Sequence, residues 1–500
     1  MRRIIMGVTV AAVFLTGVRI FGEDTTSIYK DYINKEKIKR SIMEKEGYGL
    51  LLFNTPSVKK DSILFLTLKD AKEIAMEQSQ TILIAKEKLI EKQAGIGTAR
   101  AGFLPSISFQ GSYTRLGKIP AFSMAIPQYT LTPLGVYDIL GNPVGYTDPV
   151  MIMTGVDSME LEMGKSENYL FRGSLQQPLF TWGTLLNSYR IASISLEIER
   201  ENYRKTENDV KLQVTKLFFG ALLCKRTLNL MEESYAQMQR HLEQVEKLYE
   251  NGMAEKLDLL RARVELSNIY TQVVRAKGQV DITVSALKSF LALSQDTELI
   301  LKGKLRYEPY EIELEEAIKI AINKRPDIIA MNLAKKIAEK ALAIEGAQNK
   351  PKLALVYNYD YKKPLRMMEN EWGTDWNVTL AFSMPILQGG SHISKVKQKK
   401  AQLKQMEYGL SQFEDAVRLD VKSCWLALQQ EKEILAYQEE NVSRAEEALK
   451  LAEEKYRNGM ITNLEYMDTQ LVLTRAKLEW VSSIANYNIA KEKLLVAMGG

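Results

Sequence analysis

Cysteine and histidine are nearly missing from this 500-residue chain, with two of each. Cys224 and Cys424 both fall inside helical patterns, so no disulfide framework is available and each reads as a buried free thiol. His241 and His392 have no Cys or His partner at ligand spacing, which removes a zinc site and leaves both as solvated helical histidines. An excess of one charge is missing too. The formal net charge is +5, and a cut after Gly22 would remove Arg2, Arg3 and Arg19 and leave +2, so there is no global footprint for nucleic acid. Beyond the N-terminus no apolar run reaches the roughly 18 residues of a spanning helix. If this chain meets a membrane, it does so with strands.

The one apolar run, Ile4 to Val18, follows Arg2 and Arg3 and is closed by Arg19, Gly22 and the acidic pair Glu23-Asp24. It is too short for the roughly 20 residues of a membrane anchor and reads as a secretory signal peptide over residues 1–22. Ile20 fits the small-residue rule at the cut poorly, and no Cys nearby supports lipid anchoring. Residues 23–66 form an N-terminal extension with a Lys-rich opening (Lys30, Lys35, Lys37, Lys39) and an apolar patch from Leu50 to Phe53, to which no role is assigned.

What the chain does have is a repeat. Tyr249-Glu250-Asn251-Gly252-Met253 returns 207 positions later as Tyr456-Arg457-Asn458-Gly459-Met460. Asn-Gly readily supplies the positive φ that ends one helix and reverses into the next, so each copy reads as a long antiparallel helical hairpin. Tyr235, Met238, Leu242, Val245 and Tyr249 alternate in steps of 3 and 4, as do Val442, Ala445, Leu449, Ala452 and Tyr456. That is a coiled-coil seam kept in register through the duplication.

The first repeat spans 67–301, a linker 302–313, and the second repeat 314–500. Leu68-Lys-Asp-Ala71 is matched 246 positions on by Leu314-Glu-Glu-Ala317, and each opens a helix of roughly 35 residues that runs to Pro105 or Pro351. There the period switches from 3.6 to 2. Strands are expected at about 107–115 and 169–177, and again at about 353–361 and 376–384, each with one apolar side. Ile107, Phe109, Gly111 and Tyr113 alternate with Ser108, Gln110, Ser112 and Thr114; Trp376, Val378, Leu380 and Phe382 alternate with Asn377, Thr379, Ala381 and Ser383. Pro178 and Pro385 close the second pair at the 207 offset, so the first copy carries 39 extra residues between its strands. They lie in a Pro- and Gly-rich loop over 115–168. Its Met151, Met153, Met159 and Met163 read as loose apolar packing, with soft-metal contact the alternative. After Gly183 and Gly390 come helices without internal Pro, about 67 residues or ~100 Å long, and return helices half that length.

Four strands of membrane-spanning length cannot close alone, and an open edge in lipid would strand backbone groups. Two copies would give 8 strands and three would give 12; polar inward faces with small residues favour three around an open lumen, continued by a helical tube.

The duplicated hairpin, Ala99-Arg-Ala-Gly-Phe-Leu-Pro-Ser106 leading into a strand, Arg325-Pro-Asp-Ile328, and the Pro-Leu-Phe and Pro-Ile-Leu strand ends together resemble the TolC family, the outer membrane factors of Gram-negative bacteria, from about Leu68 to Gly500. The resemblance implies an α+β membrane protein: a homotrimer with a 12-stranded β-barrel in outer membrane lipid, continued by a periplasmic α-helical coiled-coil barrel. It implies the exit duct of a tripartite efflux pump or type I secretion system, with a periplasmic adaptor and an inner-membrane transporter as partners. It places adaptor docking at the tips (Asn251, Gly252, Met253, Asn458, Gly459, Met460) and a periplasmic constriction at Glu465 and Asp468, with Asp258 and Tyr456 linking hairpins in the closed state. Ile461 stands where well-known members carry a gate-locking arginine. The bland reading of Glu465 is an acid favoured by the helix dipole in a first turn.

No catalytic site, metal or cofactor is expected. Gly164-Lys165-Ser166 resembles a phosphate loop, but Met159 stands at its first Gly and no strand precedes it. Asp415 and Asp420 belong to mixed-charge helix faces. The alternative to a channel is a secreted or periplasmic coiled-coil scaffold or adhesin that never inserts.

Overall fold

The computed structural model describes residues 64–500 except Met163, Lys304, Met367 and Met368. The expected signal peptide and all but the last three residues of the N-terminal extension lie outside the described residues. In chain order the elements are β1 (Leu64–Leu66), α1 (Leu68–Gln78), α2 (Gln80–Ala101), β2 (Ser106–Arg115), β3 (Ala121–Thr132), β4 (Gly135–Tyr137), β5 (Pro143–Tyr146), β6 (Val150–Glu162) and β7 (Glu167–Phe180). They continue with α3 (Thr184–Glu250), α4 (Lys256–Phe290), β8 (Leu299–Leu301), α5 (Leu314–Lys324), α6 (Pro326–Gly346), β9 (Lys352–Lys363), β10 (Gly373–Ser383), α7 (Ser391–Arg457) and α8 (Asn463–Ala497). The duplication is visible element by element: α3 and α7 each have 67 residues, α4 and α8 each 35.

Each expected 35-residue opening helix is two helices. The second breaks at Arg325 (φ −67°, ψ 123°) because the ring of Pro326 excludes the helical region for the residue before it. Ser79, 246 positions earlier, is buried and adopts the same extended geometry (φ −60°, ψ 127°) without a proline, its N–H donating back to the Ala75 carbonyl. A Thr67–Asp70 capping box starts α1.

The four strands form one antiparallel sheet in the order β10-β9-β7-β2. Register sorts their faces. Ile107, Phe109, Leu175, Phe171, Tyr357, Tyr359, Trp376 and Val378 align across neighbouring strands on one side. Ser108, Gln110, Ser174, Arg172, Asn358, Asp360 and Asn377 align on the other. On the polar side Arg172 grips Asp360 with two bonds of 2.7 Å, while Ser174 donates to Asn358 and Asn358 to Asn377. β7 and β9 join the two repeats, leaving β2 and β10 at the sheet's two edges.

The expected loop at 115–168 is instead a second hairpin, β3 paired antiparallel with β6 and prolonged by β4 and β5. Prolines hide it in the sequence. In a two-stranded ribbon both strands are edges, so Pro127 in β3 is tolerated where a central strand would exclude it. Met151, Met153 and Met159 lie exposed on β6. β1, from the extension without assigned role, pairs in parallel with β8 and buries Leu66.

The helices pack along α3 and α7. α3 carries α1, α2 and α4 of its own repeat and also α6 and α8 of the other; α7 carries α5, α6 and α8. Two repeat-related cores lie about midway along the long helices, one around Phe218 and Leu287, the other around Leu428 and Tyr487. Cys424 belongs to the second, whereas Cys224, expected buried, is only half covered. A third core toward the hairpin tips mixes both repeats: Met238, Ala262, Ala445, Leu449, Tyr466 and Met467.

Candidate functional site: the hairpin tips

Both long helices end in the same six-residue device. The Gly252 N–H donates to the Tyr249 carbonyl and the Met253 N–H to the Leu248 carbonyl; Gly459 and Met460 repeat this with Tyr456 and Lys455. These paired bonds form a Schellman ending, which requires the positive φ found at Gly252 (71°) and Gly459 (67°). Open space surrounds both glycines, so only backbone conformation demands them. Beyond each turn a methionine stands in solvent, Met253 and Met460 at 68% and 71% exposure, beside exposed Leu257, Leu260 and Leu464. Asn251 and Asn458 cap the helices, both exposed.

The acids expected at a constriction differ in surroundings. Glu465 is the third residue of α8 and closes a capping box. Its carboxylate accepts from the Thr462 N–H at 2.7 Å and the Thr462 hydroxyl at 2.9 Å, while the Glu465 N–H donates to that hydroxyl. These bonds hold its carboxyl below the usual carboxylate range. Asp468, one turn on, is exposed. Asp258, half-buried in the first turn of α4, lies near Tyr456, whose phenol is pushed up by burial and then by that acid's charge. Ile461 packs against the mixed core.

Between these groups lies a residue the sequence reading misplaced. His241 is 2% exposed, not solvated. Its Nε2 lies 2.7 Å from Asn463 Oδ1, and Asn463 Nδ2 donates to the Asp258 carbonyl at 3.3 Å. Its ring sits against those of Tyr466 (4.5 Å between centroids) and Tyr456 (5.4 Å), which stack on each other at 5.3 Å. Burial pushes its pKa down, against the opposing bond to Asn463. The signal was present: Ser234, Met238, His241 and Val245 alternate in steps of 4, 3 and 4, and all four are buried. The expected seam through Leu242 is only partly covered, and Tyr249 is 39% exposed. His392, at the sheet end of α7, is half-buried.

The site thus brings together Asp258, Tyr456, His241, Asn463 and Tyr466, one or more from each of four helices. Asp468 stays outside that cluster, and Glu465 is engaged with its own helix start. Nothing here aligns a nucleophile with a base. The geometry suits a mechanical junction between two hairpins.

Comparison with known proteins gives this arrangement a setting. A family model described as outer membrane efflux protein matches residues 73–293 and 317–500, the two repeats in turn. The outer membrane efflux protein BepC of Brucella suis biovar 1 is 21% identical over 65% of this chain and 71% of its own length. Among solved structures, CusC superposes with a TM-score of 0.68 at 16% identity, covering 88% of this chain and 94% of CusC. VceC of Vibrio cholerae superposes with a TM-score of 0.65 at 15% identity, covering 87% of this chain and 96% of VceC.

Proposed function

This chain belongs to the outer membrane efflux protein family, and from that premise we propose that three copies close into one duct leading from the periplasm to the exterior. The protein is an outer membrane channel, and passage through it is passive. The observation that carries the proposal is the two-faced sheet. One side is aromatic and aliphatic, with Phe109, Trp376, Leu380 and Phe382 each more than half exposed in the single chain; the other is lined by Ser, Asn, Gln and the Arg172–Asp360 pair. Such a sheet needs lipid on one side and water on the other. Its unpaired edges β2 and β10 need partners, which neighbouring copies supply by joining β10 of one to β2 of the next.

In this reading the sheet lies in the outer membrane as one third of a 12-stranded barrel, and α3, α4, α7 and α8 continue as a periplasmic tube. The tips, with Met253 and Met460 outermost beside Asn251, Gly252, Asn458 and Gly459, dock a periplasmic adaptor that links the duct to an inner-membrane transporter. Glu465 and Asp468 from three copies ring the constriction, with Asp258 and Tyr456 steadying its closed state. The test is reconstitution of the purified protein. Discrete conductance steps in planar bilayers, together with an oligomer of three that resists detergent until heated, are the expected result. A protein that stays out of the membrane fraction and gives no conductance would be a scaffold instead.

A further inference from the structure

His241 occupies a position that the duct reading alone does not use. It is the buried polar centre of the seam where α3 of the first repeat meets α8 of the second. Because Asn463 Nδ2 is committed to the Asp258 carbonyl, Asn463 Oδ1 is the acceptor facing His241, so the proton sits on Nε2. Nδ1 is then a lone pair, and it is buried with no partner. A second proton would have to enter at Nδ1, where it would meet no acceptor and bring a full charge into a desolvated pocket.

The rest of the seam is weakly committed to staying shut. Gln470, two turns along α8 and 3% exposed, has both amide atoms unpartnered, and Ser234 meets Thr474 across the seam at 3.4 Å. Opening would hydrate these groups as well as the imidazole, recovering part of what the lost apolar contacts cost. The titratable groups whose rings meet His241 are Tyr456 on α7 and Tyr466 on α8, and the charges that act on those two phenols are Asp258 on α4, Glu453 on α7 and Arg240 on α3. None of these accepts a bond from Nδ1 in the closed arrangement.

We propose that His241 is a proton-operated latch: neutral, it ties the first hairpin to Asn463 and through it to Asp258, and protonated, it releases the α3–α8 seam and loosens the tips. This rests on the duct reading for its consequence but not for its chemistry. Since burial lowers the pKa of His241, the neutral closed seam is fully stable above the ordinary histidine value of about 6.5 and weakens as pH falls below it. The periplasmic ends of the hairpins would therefore open under acid.

The test compares the full-length protein with His241→Gln, whose amide donates to Asn463 but does not titrate. In planar bilayers, conductance of the parent should rise several-fold and reversibly between about pH 7.5 and about pH 5, and His241→Gln should show no rise. Seam closure is read separately by oxidative cross-linking of Ser234→Cys to Thr474→Cys, at each pH as a ratio between the histidine and glutamine backgrounds. That ratio should fall with acid. A rise in conductance that survives in His241→Gln overturns the latch, as does a cross-linking ratio that ignores pH. Acid-sensitive cross-linking without conductance at any pH would leave the latch standing and sink the duct.

Discussion

At the scale of single residues, the tips show one side chain serving the start of its own helix. Glu465 completes a capping box, so Thr462→Ala should cost about 1 kcal/mol and fray the start of α8, measurable as faster amide exchange over its first turn. Because its bonds depress the Glu465 pKa, their stabilisation is present above the ordinary glutamate value and is lost only as pH falls through the lower folded value. In the trimer proposed above, Glu465→Gln with Asp468→Asn should abolish the cation preference expected of an acidic ring in planar bilayers. Unchanged reversal potentials in that double variant would move the constriction elsewhere along the tube. Tyr456→Phe with Asp258→Ala should raise single-channel conductance, since it strips two groups from the junction beside His241. Matching positions to the family points to Glu465, Tyr456 and Asp258, and of these the structure brings Tyr456 and Asp258 near each other. The burial of His241 is hidden because the apolar residues favour a heptad through Leu242, one residue away, and one residue on a helix turns a face by about a quarter of a circle.

At the scale of elements, period did most of the predictive work, and it failed where backbone chemistry intervened. Alternation located β2, β7, β9 and β10 within a few residues, because each presents an apolar row on one side. Hence Leu380→Arg, on the apolar side opposite Leu355, should cost about 2 to 4 kcal/mol near the bilayer midplane, while Thr379→Arg, on the polar side opposite Val356, should be tolerated. The yield of heat-resistant oligomer in membranes checks this; equal losses from both would reverse the faces. The Asn-Gly turns were equally legible. Gly459→Val forces a branched side chain into φ 67° and should impair export while leaving the oligomer in the membrane. Full export by this variant would free the tip from any docking role. Two elements were obscure. The break at Ser79 has no proline to announce it, although the one at Arg325 does. The β3–β6 hairpin was masked by Pro127, Pro133 and Pro143, residues that a central strand excludes and a free ribbon accepts.

At the scale of the whole molecule, duplication left some features paired and others not. The seam between hairpins, the β7–β9 join and the third core all mix the repeats, so neither half is independent of the other. The β3–β6 ribbon belongs to one repeat alone, and so does His241, whose counterpart in the second repeat is Ala448 at the 207 offset. The helix lengths, by contrast, have not drifted: 67 and 67, 35 and 35. Two rods of equal length fixed to one sheet behave as a ruler read at both edges. Removing one heptad from α3 and α4 alone would set the two turns about 10 Å apart, whereas removing it from α3, α4, α7 and α8 together would keep them level. A lineage whose cell envelope narrows or widens could therefore adjust this protein only by paired edits, in whole heptads, at four places in the gene at once.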